Sequence, residues 1–250
     1  MEYCVKAENL SVSFGGKTVL HNITTEVAHH GITVFLGRSG SGKTTFLRCI
    51  NRLNDCFQNC TVTGTLFVCM QGKLTDVCAS TSEISKIRRT SGMVFQTPNP
   101  LPMTVRRNIT LPLELTAGIK GATAEEKMEA ALREVGMWEE AKDRLNEDAL
   151  HFSGGQQQRI CLARTLALSP EILLLDEPTA SLDKKSSELI ENLLERLKER
   201  VPIIMVSHSL AQARKLGTHF KILSEGKLTK EFERDDIPKD KGEKFLEDLL

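Results

Sequence analysis

Gly37-Arg38-Ser39-Gly40-Ser41-Gly42-Lys43-Thr44 fits the pattern G-x-x-x-x-G-K-[ST]. Glycines at these places let the backbone turn its N–H groups inward, forming a concave anion nest at a helix N-terminus. With glycine at about 7% of residues, such a pattern arises by accident on the order of 1% of the time. The flanks argue against accident. Ile32 to Leu36 is a short apolar run rich in β-branched residues, ended by Gly37, and it reads as a buried strand. Phe46, Leu47, Ile50 and Leu53 then fall at helical spacing, which predicts a helix from Lys43 to Leu53. In this setting Lys43 reaches the β- and γ-phosphates of a nucleotide, and the Thr44 hydroxyl ligates Mg²⁺.

A second strand completes such a site. Ile172-Leu-Leu-Leu-Asp176-Glu177 is a buried strand that delivers two carboxylates at its C-terminal end, where open α/β sheets bind ligands. Asp176 suits the Mg²⁺ role, bound directly or through water, and Glu177 is placed to polarise an attacking water. A third buried strand runs from Val201 to Val206, and His208 lies just past its end, in reach of a γ-phosphate or the attacking water. Gln96 follows Gly92-Met-Val-Phe95, and by position alone it reads as a polar surface residue.

Around these strands the chain alternates in kind. Tyr3 to Val27 alternates apolar and polar residues about Gly15-Gly16-Lys17, the pattern of strands joined by a hairpin turn. Thr97 to Leu150 carries helical patterns and no strong strand. Within it, Thr123-Ala-Glu-Glu126 reads as a capping box opening a helix with Met128, Ala131, Leu132 and Val135 on one face and Gly136 as its stop. Gly155 to Leu168 is a further helix with Ser153 as N-cap. Asp183 caps another, with Leu189, Ile190, Leu193, Leu194 and Leu197 along one side. Ser224-Glu225-Gly226-Lys227 marks a last hairpin turn, and the charged tail from Arg234 to Leu250 is expected at the periphery. Buried strands alternating with helices predict an α/β fold: a mostly parallel sheet covered on both faces, with an N-terminal antiparallel β part and an inserted helical subdomain.

Composition narrows the function. Lys plus Arg is 33 and Asp plus Glu is 33 in 250 residues, so no net field draws the chain to nucleic acid or an anionic membrane. One Trp and one Tyr offer no stacking platform for single strands. The seven cysteines include no C-x-x-C pair, and Cys56-x-x-x-Cys60 lacks a second pair of metal ligands. They read as free thiols of a reducing compartment. No apolar run approaches the roughly 18 residues that span a bilayer, so service to a membrane would be from its side.

Phe152-Ser153-Gly154-Gly155-Gln156 makes a second Gly-rich helix N-terminus suited to an anion. One nucleotide cannot use both cradles. Either this one is only a capped helix or it serves a phosphate held by another molecule.

Taken in order, the loop from Gly37 to Thr45, Gln96, Ser153-Gly154-Gly155-Gln156, Asp176-Glu177, Ser181-Leu182-Asp183 and His208 resemble the ATP-binding subunits of ABC transporters over nearly the whole chain. The resemblance implies a P-loop NTPase core that binds ATP and Mg²⁺ and hydrolyses ATP. It implies that Gln96 touches the metal and senses a transmembrane partner, and that Ser153 to Gln156 close on the γ-phosphate of a second copy. Asp183 would communicate across that dimer, and His208 would contact the γ-phosphate. Phe14 matches the position of the aromatic that stacks on adenine, while on pattern alone it reads as a core strand residue. Arg38 and Phe152 stand where the family commonly has Pro and Leu.

A narrower resemblance lies in Phe46-Leu-Arg-Cys-Ile-Asn-Arg-Leu-Asn-Asp55, Val94-Phe-Gln-Thr-Pro-Asn-Pro-Leu-Pro-Met103, Lys142-Asp-Arg-Leu145 and Gln156-Gln-Gln-Arg159, which look like the ATP-binding subunit of phosphate importers. It implies integral permease subunits and a solute-binding protein as partners, no nucleic acid, and a peripheral place at the cytoplasmic face of the membrane. Import of another solute and a soluble non-transport ABC ATPase are the alternatives. The expected organisation is 1–95 for the β part and phosphate-loop half, 96–152 helical, 153–233 for the signature helix and second half of the core, and 234–250 the tail. The Pro-rich segment from Thr97 to Ile109 is expected to expose Leu101, Met103 and Val105 as a stiff docking surface.

Overall fold

β-branched and leucine runs that are apolar without alternation place three strands at the centre of a five-stranded parallel array. The computed structural model describes residues 2–79, 84–238 and 242–250. In chain order the elements are β1 (Tyr3–Phe14), β2 (Lys17–Ala28), β3 (Ile32–Leu36), α1 (Lys43–Ile50), β4 (Cys60–Met70), β5 (Lys73–Asp76), α2 (Ile84–Thr90) and β6 (Ser91–Val94). They continue as α3 (Val105–Ala117), α4 (Gly121–Glu134), α5 (Trp138–Ala141), α6 (Gly154–Ala167), β7 (Ile172–Asp176), α7 (Lys184–Leu197), β8 (Ile203–Val206), α8 (Leu210–Leu216), β9 (His219–Ser224), β10 (Lys227–Glu233) and α9 (Gly242–Glu247).

The main sheet has the order β10-β9-β3-β8-β7-β6, parallel throughout except for the antiparallel edge strand β10. A second, antiparallel sheet has the order β2-β1-β4-β5. The pleat of the main sheet splits its side chains between two cores. Val34, Leu36, Leu173, Leu175, Ile203 and Met205 face the layer of α3, α4, α6, α7 and α8. Phe35, Ile172, Leu174, Ile204 and Val206 face α1 and the antiparallel sheet. Burial on both faces is why these strands read as unbroken apolar runs. Helix α6 is buried along most of its length, from Gln158 to Ala163 without a break.

The structure departs from the sequence reading in several places. α1 ends at Ile50, because Arg52 adopts the left-handed region (φ 57°) and Leu53 opens a short 3-10 turn. α4 starts at Gly121, so Thr123 sits inside its first turn and no side chain caps the helix. Leu189 on α7 is 44% exposed, leaving Ile190, Leu193, Leu194 and Leu197 as the buried stripe. The C-terminal segment is not merely peripheral: Leu246 is fully buried in the main core and Phe245 packs edge-on against Phe232. Residues 239–241 of that segment lie outside the described residues.

The Pro-rich segment before α3 also differs. Val105 is fully buried as the first residue of α3, so only Leu101 and Met103 of the three expected residues are partly accessible. The segment is held by Asn108, fully buried, whose amide nitrogen lies 3.0–3.1 Å from the carbonyls of Leu101, Met103 and Thr104. Its Oδ1 accepts the Leu101 N–H at 2.8 Å, and Arg164 of α6 donates to the Asn99 carbonyl and side chain. Removing Asn108 strands these polar groups in a buried place. Asn108→Ala should lower the unfolding free energy by about 2–4 kcal/mol, read from urea transitions. A change below about 0.5 kcal/mol would mean that the segment is held by its prolines alone.

Candidate functional site: a phosphate cradle at the strand ends

The loop between β3 and α1 is built by backbone conformations that side chains resist. Gly37 (φ 151°) would drive a Cβ to 2.1 Å from the Leu223 carbonyl, and Gly42 (φ 99°) to 2.5 Å from the Leu20 side chain. The N-terminus of α1 has no side-chain cap and no acidic residue in its first turn, so its leading amides stay free to bind an anion. The Lys43 ammonium, on a residue only 5% exposed, folds back onto the loop and donates to the carbonyls of Gly37 (2.7 Å) and Arg38 (2.9 Å). The Ser41 hydroxyl is buried without a partner. Uncapped amides, a buried ammonium and a partnerless hydroxyl are the donor set of a polyphosphate site.

Strands β7 and β8 bring acids and a base to the same rim. Asp176 ends β7 and is buried, and its Oδ1 accepts the Thr44 hydroxyl at 2.8 Å. A hydroxyl and a carboxylate oxygen side by side suit a hard divalent cation such as Mg²⁺. Glu177 adopts a left-handed backbone (φ 48°), a conformation costing roughly 1–3 kcal/mol that concentrates at functional sites. Its amide is fixed by the Val206 carbonyl at 3.0 Å. Its carboxylate is held at both ends, Oε1 by His208 Nε2 at 2.6 Å and Oε2 by Gln96 Nε2 at 3.3 Å. A cavity of roughly 370 Å³ is lined by Ser39, Gly40, Gly42, Lys43, Thr44, Thr45, Gln96, Glu177 and His208, together with Val19 of β2.

Ser153 caps α6 in a full capping box with Gln156. The Gln156 side chain donates to Glu140 at 2.8 Å, and Arg159 grips the same carboxylate at 2.9 and 3.1 Å, which holds the Glu140 carboxyl below its usual range. Phe152 fills the core beneath, with the Arg144 guanidinium 4.3 Å from its ring centre. Asp183 caps α7 through the hydroxyl (2.7 Å) and amide (3.0 Å) of Ser186, bonds that pull its carboxyl below the ordinary range. None of Ser153, Gly154, Gly155, Gln156 or Asp183 lines the cavity of its own chain. Phe14 does not line it either. It stands at the end of β1, edge-on to Phe57 at 5.9 Å, half-buried against the antiparallel core. Arg38 contributes its carbonyl to Lys43 and points its side chain outward. Val19, Glu140 and Gln212 belong to the site or its supports without any motif to announce them, and Gln158, though inside the run Gln156-Gln-Gln-Arg159, takes no role from it. Only the apolar-strand context of Val19 and the helix phase of the others could have found them.

Burial lowers the Lys43 pKa, outweighing the Glu177 and Asp176 carboxylates that raise it. A folded pKa below the unfolded one means the charged ammonium destabilises the protein at every pH below the folded value. That cost fades as pH rises towards the unfolded value. Lys43→Met should therefore leave the melting temperature at neutral pH unchanged or higher, while ATP turnover falls roughly 10²-fold or more. Thermal melts with a phosphate-release assay check both; normal turnover would exclude Lys43 from the chemistry.

A model of the ABC transporter family matches residues 20–180. The phosphate import ATP-binding protein PstB of Ehrlichia ruminantium (strain Gardel) is 39% identical over 255 residues, covering 100% of this chain and 99% of its own. Phosphate import ATP-binding protein PstB 1 of Vibrio parahaemolyticus is also 39% identical, covering 98% of this chain and 89% of its own. Among solved structures, the ATP-binding cassette MJ0796, a dimer in a post-hydrolysis state with ADP and Pi, superposes with a TM-score of 0.77 at 30% identity, covering 92% of this chain and 98% of its own. cbiO1 from Clostridium perfringens, part of the transporter complex cbiONQ, shares the fold with a TM-score of 0.78 at 23% identity, covering 94% of this chain and 90% of its own. Sequence, fold and the strand-end phosphate cradle agree, and the chain belongs to the ABC transporter family as an ATP-binding, ATP-hydrolysing protein.

Proposed function

We propose that the chain hydrolyses MgATP as a head-to-tail pair of copies and so drives phosphate uptake through a membrane permease. The carrying observation is that its second anion cradle, Ser153 to Gln156, lies outside the cavity formed by its own phosphate loop. In an antiparallel pairing each cradle closes on the nucleotide of the other copy. Phosphate as the solute is supported by relatives named phosphate import ATP-binding proteins that match the chain end to end. Among the described residues no helix is long and apolar enough to cross a membrane. On this reading the chain sits peripherally at the cytoplasmic face, docked on permease subunits that a solute-binding protein supplies.

The geometry supports the following roles. The amides of the phosphate loop and the Lys43 ammonium hold the β- and γ-phosphates, Lys43 exchanging its two loop carbonyls for phosphate oxygens. Thr44, Asp176 and Gln96 are the residues that hold Mg²⁺, which supplies neutralising charge for the phosphate oxygens when bound. Glu177 accepts the proton of the attacking water, and His208, on its Oε1, fixes that carboxylate and faces the γ-phosphate. Asp183, capping the helix that follows the Glu177 loop, carries the state of one site towards the partner. Phe14, at the end of β1 and outside the phosphate cavity, is assigned to stack on adenine beyond that cavity.

Glu177→Gln removes the base and relieves repulsion between a carboxylate and the γ-phosphate. The variant should bind ATP, turn over roughly 10²–10⁴-fold more slowly, and become dimeric when MgATP is added, as read by size exclusion with light scattering. A persistent monomer at saturating ATP would count against the pairing.

The docking surface makes a separate prediction. Met103 is partly accessible, while its carbonyl is held by Ala149 and Asn108. Met103→Glu should abolish phosphate uptake by the assembled transporter and leave the ATPase rate of the isolated subunit unchanged. Intact uptake would place the permease contact elsewhere.

A further inference from the structure

We propose that Gln158 and Gln212 are positioning residues for hydrolysis: two buried amides that clamp the segments on either side of Glu177 and so set the direction of its carboxylate. The proposal rests on the reading of Glu177 as the water-activating base. Gln158, on α6, is 1% exposed. Its Nε2 donates at 3.0 Å to the Phe95 carbonyl and at 3.0 Å to the Pro178 carbonyl. Phe95 immediately precedes Gln96, and Pro178 immediately follows Glu177. One amide group therefore fixes the spacing of the two residues whose side chains meet at 3.3 Å in the cavity.

Gln212, on α8, is 6% exposed and does the same on the other flank. Its Oε1 accepts the Ser207 hydroxyl at 2.9 Å, and its Nε2 donates to the Thr179 hydroxyl at 2.6 Å and to Glu191 at 3.2 Å. Ser207 immediately precedes His208, and Thr179 lies two residues past Glu177. This second amide thus fixes the spacing of His208 and Glu177, whose side chains meet at 2.6 Å. Between the two clamps lies the left-handed Glu177 backbone, a conformation that persists only where its surroundings enforce it.

A purely structural amide would be expected to satisfy both its ends. Gln158 does not: its Oε1 is buried with no partner, so the side chain is oriented for the two carbonyls alone. Both clamps also reach outward. Gln158 lies on the helix whose N-terminus carries Ser153 to Gln156, and Gln212 reaches Glu191 on the helix that Asp183 caps. Movement of either helix would be felt at Glu177 through one side chain.

The test is a double-variant cycle. Methionine keeps the length of glutamine and removes its polar end. Gln158→Met and Gln212→Met should each keep ATP affinity within about twofold and lower kcat roughly 10- to 100-fold, the scale of a misplacement near 1 Å. In the Glu177→Gln background the same changes should lower the residual rate less than twofold, because no carboxylate remains to be aimed. Equal losses in both backgrounds would show that the glutamines do not act through Glu177 and would overturn the proposal, as would full activity of both single variants. Failure of the underlying reading looks different: Glu177→Gln alone would then retain turnover. Should Gln158→Met not fold, Gln212→Met carries the same cycle on the opposite flank, and loss of affinity with unchanged kcat in a folded variant would also contradict the assignment.

Discussion

Two carboxylates, Asp176 and Glu177, stand at the end of β7 beside the loop that has to hold a polyanion, and much of the molecule is arranged around that conflict of like charges. Three devices resolve it. Lys43 brings a buried cation between the loop and the carboxylates, with burial opposing and the two acids favouring its charge. Asp176 is engaged by the Thr44 hydroxyl, the pair that suits a divalent cation. Glu177 is turned aside by its left-handed backbone, and both its oxygens are taken up, by His208 and by Gln96. Parallel topology makes this arrangement available, because β3, β7 and β8 end on the same edge and deliver loop, acids and histidine to one rim.

Helix α6 connects that rim to the rest of the chain. Its N-terminus is the Ser153 capping box, its middle holds Gln158 and Arg159, and Arg164 near its end secures Asn99 in the Pro-rich segment. One helix thus touches Ser153 to Gln156, the loop after Glu177 and the segment on which a permease is proposed to dock. Coupling between nucleotide and membrane partner, on the proposed reading, needs no longer path than this helix.

Much of this was legible because the constraints are local. The phosphate loop, the capping of α6 by Ser153 and of α7 by Asp183, and the three central strands β3, β7 and β8 each leave a signature within a dozen residues, whereas β6 (Ser91–Val94) and β9 (His219–Ser224) are too mixed in composition to announce themselves. The omissions and misreadings arise where distant packing decides. β4 alternates weakly, interrupted by Gly64 opposite the register shift between Glu8 and Ser11, and its pairing with β1 comes from far along the chain. Val105 looked like part of a docking face, yet α3 turns it into the core. Thr123 had the residues of a capping box, but α4 had already begun at Gly121. Leu246 is buried by contacts that no property of the charged tail announces. Gln212 is an ordinary polar residue in sequence and Gln158 only one letter of the run Gln156-Gln-Gln-Arg159; their burial and their bonds to the segments beside Glu177 give them a role.

On the proposed reading, a nucleotide site made by one copy is closed by the Ser153 cradle of another. The most direct measurement of that closure is an interchain cross-link between Ser39→Cys, on the cavity wall, and Ser153→Cys, introduced in separate chains carrying Glu177→Gln. A disulfide-linked heterodimer should form with MgATP and not without it, and should be absent when either new cysteine is omitted. No cross-link with MgATP, or one that forms equally without nucleotide, would rule out this pairing of copies.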